Sequence, residues 1–193
     1  MLKRVLEYAH VLMQTAIQPG ETAVDATCGN GNDTLILSQS AGNKGHVYAF
    51  DIQTQAIEKT KEKLAAASCT NVNMIHDSHE NVDHYLPEDL KGKLAGAIFN
   101  LGYLPGSDKQ VITTPDHTIT AIDKLAQYLK PEGIIVCVVY YGHEGGSNEK
   151  NALLNHLADY DQKYYQILQY GFINQKNNPP FILAIEKKQV PQK

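Results

Sequence analysis

The sequence predicts an α/β fold: a single doubly wound, mostly parallel sheet that ends in an antiparallel hairpin. Three observations carry that expectation. Short apolar runs alternate with stretches of helical period along all 193 residues, which is the pattern of a parallel sheet with crossover helices on both faces. A glycine-rich segment, Cys28-Gly29-Asn30-Gly31, stands between the first apolar run and the first crossover helix. No repeat, low-complexity tract or shift of composition divides the chain, so residues 1–193 read as one domain.

The elements follow in order. Leu2, Val5, Leu6, Ala9, Leu12, Met13 and Ala16 recur at steps of three and four, making residues 1–18 an amphipathic helix that Pro19-Gly20 ends. Residues 22–26 form a short buried strand, and a helix from residue 34 stops before Gly42. Residues 46–51 are a second strand, followed by a helix over 54–68 and a third strand at 73–76. Residues 94–100 are the fourth strand and 118–128 a helix. Pro131-Glu132-Gly133 is a turn before the strongest strand, 134–141, and a helix over 148–160 comes next. Two β-like runs, 164–173 and 180–186, flank a polar loop at 174–178 and pair as the hairpin within residues 163–188.

Composition excludes several classes. With 42% hydrophobic and 20% charged residues the chain is ordinary globular material, neither disordered nor coiled coil. Its longest apolar run, 133–141, is too short to span a bilayer, and the N-terminus lacks the apolar core of a signal peptide. A cytoplasmic protein without a membrane partner is expected. Three cysteines, Cys28, Cys69 and Cys137, show no CxxC spacing, so neither a disulfide framework nor a metal site is expected. The 17 basic against 21 acidic residues leave a net charge of −4, and Arg4 is the only arginine. Taken alone, that balance points away from nucleic-acid binding led by phosphate contacts.

In a doubly wound sheet, ligands bind outside the carboxyl ends of the strands. Four motifs fall there. In Asp25-Ala26-Thr27-Cys28-Gly29-Asn30-Gly31-Asn32-Asp33-Thr34, the glycines allow a sharp turn and close approach of a ligand. Thr34 stands where a dinucleotide fingerprint wants its third glycine, which disfavours NAD and FAD. Asp25, Asn30 and Asp33 supply acceptors suited to an ammonium group; a plain βα turn capped by Asp33 is the alternative. Asp51 stands about 20 residues beyond Gly31, the place for an acid that bonds a ribose diol, with Gln53 to assist. It reads equally as a helix cap. Asp77-Ser78-His79 offers acceptors for an adenine amino group, or is a polar loop with His79 exposed.

The fourth motif is Asn100-Leu101-Gly102-Tyr103. Asn100 Oδ1 and the Leu101 carbonyl can accept hydrogen bonds from an attacking N–H group. Tyr103 can stack on a base, worth about 1–3 kcal/mol. Beyond the fifth strand, Tyr140 and Tyr141 read as stacking residues or as core. His143 reads as a proton acceptor, a substrate hydrogen-bonder or a plain loop residue. Lys176 in the polar loop can meet a phosphate, or simply be solvated. His10, His46, His76, His84, His117 and His156 show no partner and read as structural, and Cys28 as a small space-filler.

Together these motifs resemble the class I S-adenosylmethionine-dependent methyltransferases. The 100–103 segment resembles their Asn/Asp-Pro-Pro-Tyr loop, with Leu-Gly in place of Pro-Pro. Over nearly the whole chain, segments 25–34, 46–53, 99–106, 139–145 and 170–181 look like one small bacterial family. That family was long labelled as rRNA methylases. Its members are tRNA wobble-uridine methyltransferases that convert 5-aminomethyl-2-thiouridine to 5-methylaminomethyl-2-thiouridine.

The resemblance implies S-adenosyl-L-methionine as methyl donor, S-adenosyl-L-homocysteine as product, no metal, and a tRNA anticodon stem-loop as partner. It implies catalytic roles for Asn100, Tyr103 and His143. Cofactor contacts fall to Asp25, Thr27, Gly29, Asn30, Gly31, Asp33, Asp51, Gln53, Ser78 and His79, and substrate contacts to Leu101, Gly102, Tyr140, Tyr141 and Lys176. An rRNA or small-amine acceptor, or a silent binding module, remains open, as does a homodimer through the first helix or the hairpin. The charge balance then fits recognition of one splayed base, with Lys3, Arg4, Lys109, Lys150 and Lys176 as candidate phosphate contacts.

Overall fold

The structure, a computed structural model, describes residues 1–102, 114–142 and 145–189. The strands are β1 (Thr22–Asp25), β2 (His46–Asp51), β3 (Val72–His76), β4 (Leu94–Leu101), β5 (Leu129–Val139), β6 (Tyr165–Tyr170) and β7 (Phe181–Lys187). The helices are α1 (Val5–Ala16), α2 (Asn32–Ala41), α3 (Thr54–Ala66), α4 (Pro115–Tyr128) and α5 (Gly146–Ala158). All seven strands join one sheet in the order β3-β2-β1-β4-β5-β7-β6. β1 to β5 run parallel, and β7 lies antiparallel between β5 and β6. The expected doubly wound sheet with its antiparallel hairpin is therefore present. Strand order reverses between β1 and β4, which opens a crevice at their carboxyl ends.

The sheet separates two apolar layers. On one face Phe50, Phe99, Leu125 and Leu153 pack beneath α4 and α5; on the other, Met13, Leu37, Ile98 and Val136 pack beneath α1 and α2. β4 is covered on both sides, which is why its sequence is apolar at nearly every position instead of alternating. α1 buries Val5, Ala9 and Met13, one stripe at steps of four. A side chain at Gly96 would lie 3.0 Å from Met13 Cε, so the helix seats directly on β4.

Boundaries differ from the sequence reading at instructive places. α2 begins at Asn32, α4 at Pro115 and α5 at Gly146, each slightly before the expected start. β5 runs straight through Pro131-Glu132-Gly133, which is a bulge within the strand and not a turn before it. Glu132 has φ +64°, and the pairing with β4 jumps from Leu94↔Leu129 to Gly96↔Ile134. β5 then ends at Val139, leaving Tyr140 and Tyr141 beyond the ladder. Two 3-10 segments after β3, His79–His84 and Glu88–Leu90, were not expected, since pieces this short leave no periodicity to read.

Met13 is fully buried between α1 and the sheet. Met13→Ala is expected to lower the free energy of unfolding by about 2–5 kcal/mol, the range for truncating a core side chain. Urea denaturation measures it, and a loss below 1 kcal/mol would show that α1 is not docked as described.

Candidate active site

A cavity of about 410 Å³ opens at the carboxyl ends of β1 to β4, a volume suited to a small organic ligand. Its base is built by a carboxyl group that does not itself line it. Asp25 at the end of β1 is fully buried. Its Oδ1 accepts the Thr27 N–H at 3.1 Å and its Oδ2 accepts the Thr34 hydroxyl at 2.6 Å. One side chain thus ties the loop to the first turn of α2. Burial, together with the nearby Asp33 charge, raises the Asp25 pKa to about 7.

The loop turns through Gly29 (φ +52°) and Gly31 (φ +73°). A side chain at Gly31 would lie 2.9 Å from Thr60 Oγ1, so both the conformation and the packing require glycine. Gly31, not Asp33, is the N-cap of α2. Thr27, Gly29, Asn30 and Asp33 face the cavity, whereas Asp25 and Gly31 lie under it.

At the end of β2, Asp51 Oδ1 accepts the Gln53 N–H at 3.0 Å and Oδ2 accepts the Gly29 N–H at 3.0 Å. Gln53 is the N-cap of α3, so Asp51 instead binds two loops together. The Cys28 thiol also donates to Oδ2 at 4.0 Å, which leaves Oδ1 with the open lone pair. Gln53 and the half-exposed Ile52 line the same wall.

After β3, both oxygens of Asp77 are engaged. They accept from the Ser78 N–H at 2.7 Å, Asn81 Nδ2 at 3.1 Å and the Tyr85 hydroxyl at 2.8 Å. Ser78 and His79 line the cavity. His79 is buried, which overturns the reading of an exposed loop histidine. Its Nδ1 donates to the Ala26 carbonyl at 3.1 Å, and Phe99 packs edge-on at 5.4 Å. Burial pulls its pKa down to about 4, so the ring is neutral near pH 7. Nε2 is then a buried acceptor with no partner among the described residues.

Asn100, near the end of β4, is held at two points. Its backbone N–H donates to Thr27 Oγ1 at 2.7 Å, and its Nδ2 donates to Asp33 Oδ2. A carboxylate only accepts, so the amide's Oδ1 is its acceptor end. The other Asp33 oxygen, Oδ1, lies 2.6 Å from His10 Nε2. Leu101 and Gly102 continue the wall, and the Leu101 carbonyl already accepts the Tyr140 N–H at 2.9 Å. One lone pair of that carbonyl is left for a substrate.

Tyr140 lines the cavity. Tyr141 does not: it packs edge-on against Phe181 at 5.8 Å, with Lys150 Nζ 4.5 Å from its ring centroid. Lys176 is exposed in the loop between β6 and β7. Tyr103, Lys109 and His143 lie outside the described residues.

Sequence reasoning missed several residues here. His10, His76, His117 and His156 were read as partnerless. The structure pairs His76 Nε2 with the Ile52 carbonyl at 3.0 Å and His156 with Asp123 at 2.8 Å. It sets His117, which also lines the cavity, 3.3 Å from Glu80. Leu6, Asn32 and Thr114 line the cavity as well. His10 and Asp33 are 23 positions apart on different helices, a proximity that no local pattern encodes. Cys28 is buried at the loop, and burial pushes its thiol pKa strongly up, the opposite of an activated nucleophile. No group of three metal-binding side chains occurs among the described residues. No helix among them is long and apolar enough to cross a membrane.

The family described as "Putative rRNA methylase" matches residues 47–186. The chloroplastic tRNA (mnm(5)s(2)U34)-methyltransferase of Arabidopsis thaliana is 42% identical over 156 residues, covering 76% of this chain and 56% of that protein. The chain spans about half the length of the curated relatives it matches. Among solved structures, a putative rRNA-methylase from Clostridium thermocellum superposes with a TM-score of 0.93 at 40% identity, covering 97% of this chain and 99% of that one. SMU.1697c, a putative methyltransferase from Streptococcus mutans solved in complex with SAH, gives 0.88 at 42% identity, covering 97% and 99%.

Asp25 yields a test of the cavity's base. From its ordinary value of 3.8 up to about 7, the folded chain keeps a proton that the unfolded chain has lost. The contribution of Asp25 to stability therefore falls as pH rises through that window. His79 acts in the opposite sense, but equally in wild type and variant. Unfolding free energies measured in urea from pH 4 to 7 should decline more, or rise less, for wild type than for Asp25→Asn. Parallel curves would contradict a buried, proton-holding carboxyl group.

Proposed function

The chain belongs to the family described as "Putative rRNA methylase", and we propose that it is an S-adenosylmethionine-dependent N-methyltransferase acting on a tRNA wobble uridine. The methyl acceptor in this reading is the aminomethyl group of 5-aminomethyl-2-thiouridine, and the product is 5-methylaminomethyl-2-thiouridine. One observation carries the reading. Asn100, its amide oriented by Asp33, stands in the same cavity as the glycine loop and Asp51. The name and identity of the Arabidopsis relative support the choice of acceptor.

The residues present fit such a donor. Asp51 offers acceptors to a ribose diol, and Ile52 offers an apolar edge for a base. Ser78 offers a polar contact on the adjoining wall. Asn30 and the Asp33 carboxylate provide polarity suited to an amino-acid tail. When bound, the donor supplies a methyl group already activated on a sulfonium.

What remains for the protein is to place the amine in line with that methyl group. The amine must be neutral to have a lone pair, and deprotonating an alkylamine costs about 1.4 kcal/mol for each unit its pKa exceeds the working pH. A desolvated site beside a cation offsets a penalty of that size. Asn100 Oδ1 and the remaining lone pair of the Leu101 carbonyl accept from the amine and aim it. Tyr140, on the cavity wall, supplies an aromatic ring for stacking on a planar base. In this reading Tyr103 and His143 add stacking and a proton acceptor, and the tRNA anticodon stem-loop is the partner.

Transfer from methyl-labelled S-adenosylmethionine to tRNA bearing the aminomethyl group tests the reading, with rRNA and small-amine fractions as rival acceptors. Label is expected in tRNA. Label in rRNA or the amine fraction alone, or in none, would overturn it. Asn100→Ala is expected to lower kcat/KM by about 10²-fold or more, the scale for losing a positioned polar group, while the affinity for S-adenosylhomocysteine changes by less than about threefold. A variant as fast as wild type would remove Asn100 from the chemistry.

A further inference from the structure

We propose that His10 is a positioning residue for methyl transfer: acting through Asp33, it fixes the orientation of the Asn100 amide. The proposal rests on the reading of Asn100 as the acceptor that aims the amine.

An asparagine amide can turn end for end at little cost unless a neighbour distinguishes its oxygen from its nitrogen. Here that neighbour is Asp33, which accepts from Nδ2. Asp33 sits in the first turn of α2 and has rotamers of its own. Its Oδ2 is committed to Asn100, and its Oδ1 meets His10 Nε2 at 2.6 Å, so the imidazole is the second point that holds the carboxylate. A carboxylate cannot donate, which places a proton on His10 Nε2 and makes His10 the donor. The side chains are 22% and 11% exposed, so the bond is only partly open to water and keeps much of its strength.

His10 does not belong to the stripe that docks its helix. Val5, Ala9 and Met13 carry that burial, with Ile17 just beyond the helix end. Removal of the imidazole leaves that stripe unchanged, and α1 should stay on the sheet. What the removal frees is the Asp33 carboxylate, and with it the distinction between the two ends of the Asn100 amide. The expected signature is a loss of rate larger than any loss of binding, because a misoriented acceptor spoils alignment while the other cofactor contacts remain.

The test uses the full chain in five forms: wild type, His10→Ala, His10→Gln, Asn100→Ala and the His10→Ala/Asn100→Ala double variant. His10→Ala is expected to lower kcat about tenfold, with KM for tRNA within about twofold and a change in affinity for S-adenosylhomocysteine clearly smaller than the loss of kcat. His10→Gln, which restores an N–H donor of similar reach, is expected to recover most of the rate. On the Asn100→Ala background, removing His10 is expected to cost less than about twofold, because the two residues act as one unit. A repeat of the full loss on that background, or a Gln variant as slow as Ala, would overturn the proposal.

A second readout needs no turnover. The side-chain amide pair of Asn100 in a ¹H–¹⁵N spectrum, identified by its loss in Asn100→Ala, should shift in His10→Ala and return in His10→Gln. An active wild type whose amide pair is unmoved in His10→Ala overturns the proposal alone. A wild type that methylates no RNA overturns the function reading and the proposal with it, and the amide pair then shows whether the contact itself exists.

Discussion

A buried carboxyl group on which two elements converge sets the geometry of this site. Asp25 ends β1 with no exposed surface, and its two oxygens accept from the loop at Thr27 and from α2 at Thr34. Because both acceptors are used inward, the loop between them has one conformation, and Gly29 and Gly31 supply the left-handed turns it needs. The placements of Thr27 under the Asn100 N–H, of Gly29 against Asp51 and of Asp33 against Asn100 all follow. Three carboxyl groups so close together would repel one another if all were bare. Asp25 meets that by holding its proton up to about pH 7, and Asp33 and Asp51 by accepting hydrogen bonds on both oxygens.

Much of this was legible in the sequence, for reasons that can be named. Strands buried on both faces read as continuous apolar runs, and β4 is the clearest case. Cavity-lining residues at strand ends appear in chain order, so Gly29, Asp51, Ser78 and Asn100 could be placed at one site before any geometry was known. What failed were contacts between elements. His10 reaches Asp33 from a helix whose pattern reports only its buried stripe. For His79 the sequence left a site contact and an exposed loop both open, because its burial depends on Phe99, 20 positions further on. Pro131-Glu132-Gly133 reads locally as a turn, and only the pairing of β5 with β4 turns it into a bulge.

The net charge of −4 is compatible with the proposed substrate once its sources are separated. Asp33, Asp51 and Asp77 line the cavity and Asp25 lies buried beside them, a local negative charge that suits the cationic donor of the proposed reaction. Outside it, Lys150 lies over the ring of Tyr141 and Lys176 stands in the exposed loop between β6 and β7. Recognition of one unstacked base by aromatic faces and base-edge contacts asks for few such cations.

Under the proposed function, the cavity at the ends of β1 to β4 holds a sulfonium nucleoside and not a dinucleotide. Competitive calorimetry with S-adenosylhomocysteine and NAD measures this directly. Saturable one-to-one binding of S-adenosylhomocysteine, undisturbed by a large excess of NAD, is the predicted result. Tight binding of NAD that displaces S-adenosylhomocysteine, or no binding of the latter at all, would contradict it.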